Sequence, residues 1–308
     1  MPPRRLGPLL IALGAALLAG GPTVADPPAV KLMDWPDLMG RPLPAATQRI
    51  AYGTGPLQVA DLWLPPGKGP FPVVMMIHGG CWRSGVAKLT IMNYAADDLR
   101  RRGIAVWNVE YRGVDRPGGG YPGTFQDVAA AADELARVAP QYRLKTDRIV
   151  ALGHSAGGHL ALWLAARPRM PASSPLATTR PLKIAALVSL GGLPDLELVR
   201  SLGDQSCGAE SVENLTGRPT PDRPDVYADT SPAELGAGRD REVLVNGPDD
   251  PIAPPSMAEA YAAKMRAKGA HIRQIVVPDT GHVELIAPGT AAWAKVVETV
   301  QALLARPR

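Results

Sequence analysis

The segment Leu152-Gly153-His154-Ser155-Ala156-Gly157-Gly158-His159 holds one serine at the centre of a Gly-x-Ser-x-Gly pentapeptide. A serine hydroxyl is a weak nucleophile near neutral pH. It needs a base within hydrogen-bond reach and an acid that orients the base. The chain offers five histidines. His78 opens a loop, where a backbone role is expected. His154 is the free position of the pentapeptide, with its ring expected to point away from Ser155. His159 lies on an apolar segment, and His271 starts a strand-like run. That leaves His282, in Pro278-Asp279-Thr280-Gly281-His282-Val283-Glu284, as the base. For the acid, Gly247-Pro248-Asp249-Asp250-Pro251 offers two aspartates, and Asp250 is chosen over Asp249 because it keeps a Gly-x-x-Asp spacing. Negative charge growing on a carbonyl oxygen also requires fixed N–H donors. Ala156, next after the nucleophile, is one such donor. Gly80 and Cys81 of His78-Gly79-Gly80-Cys81-Trp82 are the others, since glycines let a backbone approach the reacting group. The chemistry these residues can do is acyl transfer through a covalent serine intermediate.

Such chemistry depends on where the chain places each group. Arg148 to Leu152 reads as a strand, and Leu160 to Ala166 as a buried helix that stops by Pro168. A strand, a sharp turn and a helix put Ser155 on a strained elbow above a helix N-terminus, and residues 153 and 157 must be small there. Strands are also expected over 57–64, 72–77, 104–109, 184–190, 241–246 and 271–277. Helices are expected over 89–102, 125–138, 255–268 and 291–305. The middle strands are continuously apolar, and strands alternate with helices. This pattern predicts an α/β architecture, a mostly parallel central sheet with helices on both faces. Ser155, Asp250 and His282 then all leave the carboxyl edge, where such sheets keep their ligands. Residues 195–238 show no regular pattern and are too long for an ordinary connection. They are expected to form a loop-rich lid over that edge and, with the 115–124 loop, to wall the pocket. Residues 26–48 are proline-rich and read as an extended or partly disordered arm, with the main domain running from 49 to 308.

Arg4 and Arg5 precede the apolar run from Leu9 to Ala19, followed by Thr23-Val24-Ala25. This is the form of a secretory signal peptide ending at Ala25, too short to span a bilayer comfortably, so no stable membrane anchor is expected. An exported, periplasmic or secreted protein follows. Without residues 1–25 the chain carries 31 basic against 29 acidic residues, a net charge of +2. No Lys/Arg cluster is interleaved with aromatics, so nucleic acid is not an expected partner. Cys81 and Cys207 could form one disulfide in an exported chain, and both fall in segments placed around Ser155.

Taken together, these pieces resemble an α/β-hydrolase of the His-Gly-Gly-x-Trp group, which includes bifunctional feruloyl/acetyl-xylan esterase-like proteins and kynurenine formamidases. The resemblance rests on His78 to Trp82, Glu110-Tyr111-Arg112, Tyr121-Pro122 with Asp127, Gly153 to Gly158, Ser231-Pro232, Asp250 and Gly281-His282. It also has the chain order Ser, Asp, His. The middle position of the group's motif, often glycine or an aromatic, is Cys81 here. The resemblance implies that Ser155 attacks a carbonyl carbon, His282 carries the proton and Asp250 fixes the imidazole, with no metal or organic cofactor. The expected substrate is a small carboxylic ester of modest acyl size. An amidase or peptidase, arylformamidase-like or prolyl-oligopeptidase-like, is the alternative within hydrolases. A non-catalytic binding protein on the same fold is the alternative outside them, and no oligomeric state is implied.

Overall fold

A computed structural model describes residues 31–236 and 241–305. Eight strands form one sheet: β1 (Gln48–Ala51), β2 (Val59–Trp63), β3 (Phe71–Ile77), β4 (Ala105–Val109), β5 (Leu144–His154), β6 (Ala186–Leu190), β7 (Arg241–Asn246) and β8 (Ile272–Val276). Nine α-helices accompany them among the described residues: α1 (Trp35–Met39), α2 (Asn93–Arg101), α3 (Gly123–Tyr142), α4 (Ala156–Ala166), α5 (Leu196–Leu202), α6 (Ala209–Thr216), α7 (Pro232–Leu235), α8 (Pro255–Ala267) and α9 (Ala291–Ala305). The sheet order is β1-β2-β4-β3-β5-β6-β7-β8. β2 pairs antiparallel with both β1 and β4 at one edge, and β3 through β8 run parallel. This is the α/β-hydrolase fold.

Alternation along each strand sends side chains to two separate cores. Val73, Met75 and Ile77 of β3 pack with α3, α4 and α8, whereas Val74 and Met76 pack with α2 and α9. The strand order reverses at β3, whose neighbours are β4 on one side and β5 on the other. A reversal of this kind opens a crevice at the carboxyl ends of the strands. Register then decides which residues meet there. Ile77 pairs with Gly153, so the loop leaving β3 lies beside Ser155. The last pair of β7 and β8 is Asn246 with Val276, so the loops carrying Asp250 and His282 also leave side by side.

Several elements differ from the sequence expectation. β5 starts at Leu144 because Phe71 and Pro72 pair with Leu144 and Lys145, before an irregularity between Pro72 and Val73 resets the register to Ile149. The 195–238 stretch carries α5, α6 and α7 rather than irregular chain. Their apolar residues Leu196, Val199, Val212, Leu215 and Ala233 are buried in the main core. The proline-rich 26–48 segment contains α1, started by Asp34, whose side chain accepts the Asp37 N–H while Asp37 returns a bond to the Asp34 N–H. The compact unit accordingly begins at Leu32 rather than at residue 49. Residues 1–25, read as a signal peptide, lie outside the described residues. Among the described residues no helix is long and apolar enough to cross a membrane.

Candidate active site

The turn that carries Ser155 is fixed by backbone crowding. A Cβ on Gly153 would sit 2.0 Å from the Gly157 oxygen, and one on Gly157 2.2 Å from the Ile77 oxygen. No side chain fits either position, so the bend carries side chains only at His154, Ser155 and Ala156. Ser155 adopts φ 56°, a left-handed conformation that a non-glycine residue pays for with strain. Its N–H donates to the Leu190 oxygen at 2.8 Å and its carbonyl accepts the Gly158 N–H at 2.8 Å. α4 begins at Ala156 and is buried along its whole length, so the turn cannot relax outward.

The loop after β3 is held as tightly. A Cβ on Gly79 would lie 2.8 Å from the Ser155 Cβ, which is the close approach a nucleophile and an oxyanion loop require. Gly80, Cys81 and Trp82 follow at φ 107°, 50° and 57°. Among the described residues, the N–H groups of Gly80, Cys81 and Ala156 donate no hydrogen bond. Side chains brace the bend. The Trp82 indole N–H donates to His159 Nδ1 at 3.1 Å, and the far ring nitrogen of His159 donates to the Thr230 oxygen at 2.9 Å. The Sγ atoms of Cys81 and Cys207 are bonded at 2.05 Å, which ties the bend to the chain between α5 and α6.

His78 has more than a backbone role. Its Nε2 lies 2.8 Å from Glu110 Oε1 and its Nδ1 2.7 Å from the Gly79 oxygen, while its ring stacks on Tyr111 with centroids 4.4 Å apart. Burial pushes the Glu110 carboxyl up. His78 and the N–H groups of Leu89 and Tyr111 outweigh that and hold it below the usual carboxylate range.

On the far side of β6, His282 Nδ1 lies 2.6 Å from Asp250 Oδ2. Asp249 is exposed and Asp250 buried, so Asp250 is the aspartate that meets His282. Asp250 Oδ1 accepts the N–H groups of Ile252 and Ala253, both at 2.9 Å. Burial raises the Asp250 carboxyl, but the His282 contact and these two donors bring it below its ordinary value. The pair reaches over the end of β6 only because residue 191 is glycine. A Cβ there would stand 2.8 Å from Asp250 Oδ2 and 3.2 Å from His282 Nδ1, at a φ of +49°.

His154 departs from expectation. Its ring does not turn away but lines the same cavity as Ser155 and His282, with its centroid 4.4 Å from that of His282. Its Nε2 faces the His282 carbonyl at 3.1 Å and must donate to it, while Nδ1 is buried without a partner. Burial, and then the neighbouring His282, lower its pKa to about 3, so it is neutral.

The cavity above Ser155 encloses about 480 Å³. Its floor is Gly80, Cys81, His154, Ser155 and His282. The walls come from Trp35 and Met39 of α1, from residues 84–88 with Thr90 and Ile91, and from Ile252. Among the described residues, neither the 195–238 segment nor the 115–124 loop contributes to this lining. Other motif residues serve the scaffold. Arg112 grips Asp127 through two bonds of 2.7 Å, Tyr121 donates to Asp229 at 2.8 Å, and Ser231 Oγ accepts the Leu196 N–H. Trp35, Met39 and Glu284 carry no sequence signal that places them at the site, and Glu110 stands only within the Glu110-Tyr111-Arg112 motif. The Asp34-to-Asp37 capping pattern was the one signal that could have revealed α1.

A family model, BD-FAE, matches residues 60–265. The chain belongs to this α/β-hydrolase esterase family. It is 31% identical over 119 residues to a probable isoprenylcysteine alpha-carbonyl methylesterase of Arabidopsis thaliana, a match covering 38% of this chain and 24% of that protein. It is 25% identical over 247 residues to Esterase LipQ of Mycobacterium tuberculosis, covering 78% of this chain and 58% of the relative. In both cases the match spans only part of the curated relative's length. Among solved structures, a truncated form of a carbohydrate esterase from gut microbiota matches with a TM-score of 0.71 at 19% identity, over 85% of this chain and 98% of that one. That likeness is one of fold.

Proposed function

We propose that the protein is an exported carboxylic ester hydrolase that acts through a Ser155 acyl-enzyme on esters of modest acyl size. The observation that carries this reading is the buried Asp250–His282 pair, 2.6 Å apart, whose His282 lines one cavity with a serine on a strained elbow. With Asp250 accepting at Nδ1, the imidazole keeps a lone pair on Nε2 for the serine proton. Ser155 Oγ attacks the ester carbonyl carbon, and the proton passes to His282. The carbonyl oxygen becomes an oxyanion held by the N–H groups of Ala156, Gly80 and Cys81, each such donor lowering the barrier by about 3 kcal/mol. The tetrahedral intermediate expels the alcohol, which takes its proton from His282. Water, activated by the same base, then releases the acid and restores Ser155.

The apolar cavity walls and their volume favour an acyl or alcohol group of moderate length over a polymer backbone. Membership in an esterase family and the ester-cleaving names of the relatives favour an ester over an amide. Export is supported by Arg4, Arg5 and the apolar run after them, and by the Cys81–Cys207 bond, a linkage that persists in oxidising compartments. Turnover of p-nitrophenyl acetate, butyrate and octanoate, beside an aminoacyl anilide, tests the reading in wild type and Ser155→Ala. Ester turnover that vanishes in the variant is expected. Turnover of the anilide alone would replace the esterase with a peptidase, and no Ser155-dependent turnover would leave a binding protein.

A further inference from the structure

The N-terminal segment carries none of the reacting groups, yet it meets the base directly. The Trp35 ring stands edge-on to both imidazoles, 6.1 Å from His154 and 6.4 Å from His282 between centroids, at 74° and 76°. One buried carboxylate joins the two pieces of chain. Glu284 accepts the Met33 N–H at Oε1 and the Gly281 N–H, 3.0 Å away, at Oε2. The residue just before His282 and the residue two before Trp35 therefore hang on the same side chain. Further along, Arg41 donates to the Pro288 oxygen at 2.8 Å, and Asn93 of α2 donates to the Pro44 oxygen at 3.0 Å. A short helix held at both ends in this way cannot drift from the His282 loop.

The same helix faces the cavity. Trp35 and Met39 line it together with Val86, Ile91 and Ile252, and among the described residues no carboxylate does. Met39 and Val86 are 58% and 64% exposed, so two large apolar side chains stand in water at the rim. An apolar group lying between them would remove both from solvent. Methionine, with three flexible bonds and a polarisable sulfur, adapts to such a group without demanding one shape.

We propose that α1 is the specificity-determining wall of the site, with Trp35 and Met39 holding the apolar chain or ring of the ester. Glu284 hooks this wall to the base loop, so Trp35 is also a positioning residue for the His282 imidazole. The proposal rests on the Ser155 ester-hydrolase reading. The apolar group is either the acyl or the alcohol side of the ester, and two substrate series separate them.

The test measures kcat and KM for wild type, Met39→Ala, Trp35→Ala, Trp35→Phe and Ser155→Ala. Acetate, butyrate and octanoate p-nitrophenyl esters vary the acyl side, and methyl, butyl and octyl acetates vary the alcohol side. In one series, Met39→Ala and Trp35→Ala are expected to lower the preference for the longer over the shortest member by about ten-fold in kcat/KM. That series names the side. Trp35→Ala is further expected to lower kcat on the shortest ester by about five-fold through a looser imidazole, with Trp35→Phe recovering most of it. Met39 is exposed, so its truncation reads binding rather than folding. A length preference unchanged in both series, with wild-type turnover still dependent on Ser155, overturns the wall alone. Unchanged kcat on the shortest ester in Trp35→Ala overturns the positioning role. Wild-type turnover independent of Ser155 overturns the underlying reading, and the wall with it.

Discussion

The strands β3 and β5 on one side, and the loops leaving β7 and β8 on the other, hold the groups proposed to react by different means. Beside Ser155 the backbone does the holding. Glycines 79, 153 and 157 have no room for a Cβ, and Cys81, Trp82 and Ser155 sit at positive φ. Beside His282 the side chains do most of it, through Asp250, His154, Glu284 and the ring of Trp35, with Gly191 leaving room for the pair. Backbone crowding is all-or-none, so the nucleophile half should tolerate almost no change. Side-chain contacts are graded, so the base half should lose function in steps and is the half through which substrate preference can vary.

The largest effect should come from the one contact in the base half that sets a tautomer. Asp250→Asn keeps the shape but presents an N–H or a weaker acceptor to His282 Nδ1, and kcat should fall about 10⁴-fold with little loss of Tm. A loss of only ten-fold would place the acid elsewhere. In the nucleophile half, Gly79→Ala forces a methyl to within 2.8 Å of the Ser155 Cβ and displaces the oxyanion donors. Steady-state kinetics should show kcat down by about 10²-fold or more. If that variant were as mild as the loss of the graded His154 contact, about five-fold, the contrast between the halves would fail.

Glu110→Gln tests what braces the loop after β3. It leaves the His78 ring and the N–H groups of Leu89 and Tyr111 facing a neutral amide in place of a carboxylate, and urea titration at pH 7 should show a loss of about 2 kcal/mol. The Glu110 carboxyl lies below its ordinary 4.5 in the fold, so its contribution is complete above that pH and declines as pH falls through the lower folded value. Wild type and variant should therefore converge in acid. An unchanged gap at pH 3 would contradict the assignment.

A smaller change is expected for His154→Phe, which keeps a ring but removes the N–H to the His282 carbonyl. Loss of one hydrogen bond that orients the base predicts about a five-fold fall in kcat. His154 is held at about 3 in the fold against 6.5 for a free imidazole. The unfolded chain thus binds the extra proton between those values, so stability drops as pH falls through that window. Phenylalanine should flatten this slope in pH-dependent melting curves, and an unaltered slope would mean that His154 is not the titrating group. The mildest effect belongs to the rim. Val86→Ser, at a site 64% exposed, should leave stability within about 0.5 kcal/mol and raise KM for the longer esters about two-fold.

The contrast also explains what the sequence disclosed. The nucleophile half is local, with strand, pentapeptide and helix contiguous, and the glycines needed by the backbone stand in the text. The alternation of strands and helices and the choice of Asp250 followed from apolar runs and spacing. The direction of the His154 ring did not, because it depends on Gly79 and the His282 carbonyl, which are remote in sequence. α1 was hidden by the prolines around it, although Asp34 and Asp37 form its capping box. α5 and α6 span only 7 and 8 residues, too few to show a helical period. The pocket wall was illegible for the same reason as the base half: it is assembled from segments that meet only in the fold.

The central claim is that Ser155 is activated by the Asp250–His282 pair. Its most direct measurement is the rate of labelling by a fluorophosphonate probe, with the adduct located by peptide mass spectrometry. A single adduct on Ser155 is predicted, forming rapidly in wild type and orders of magnitude more slowly in His282→Ala. No adduct on Ser155, or equal labelling rates in the two proteins, would contradict the account.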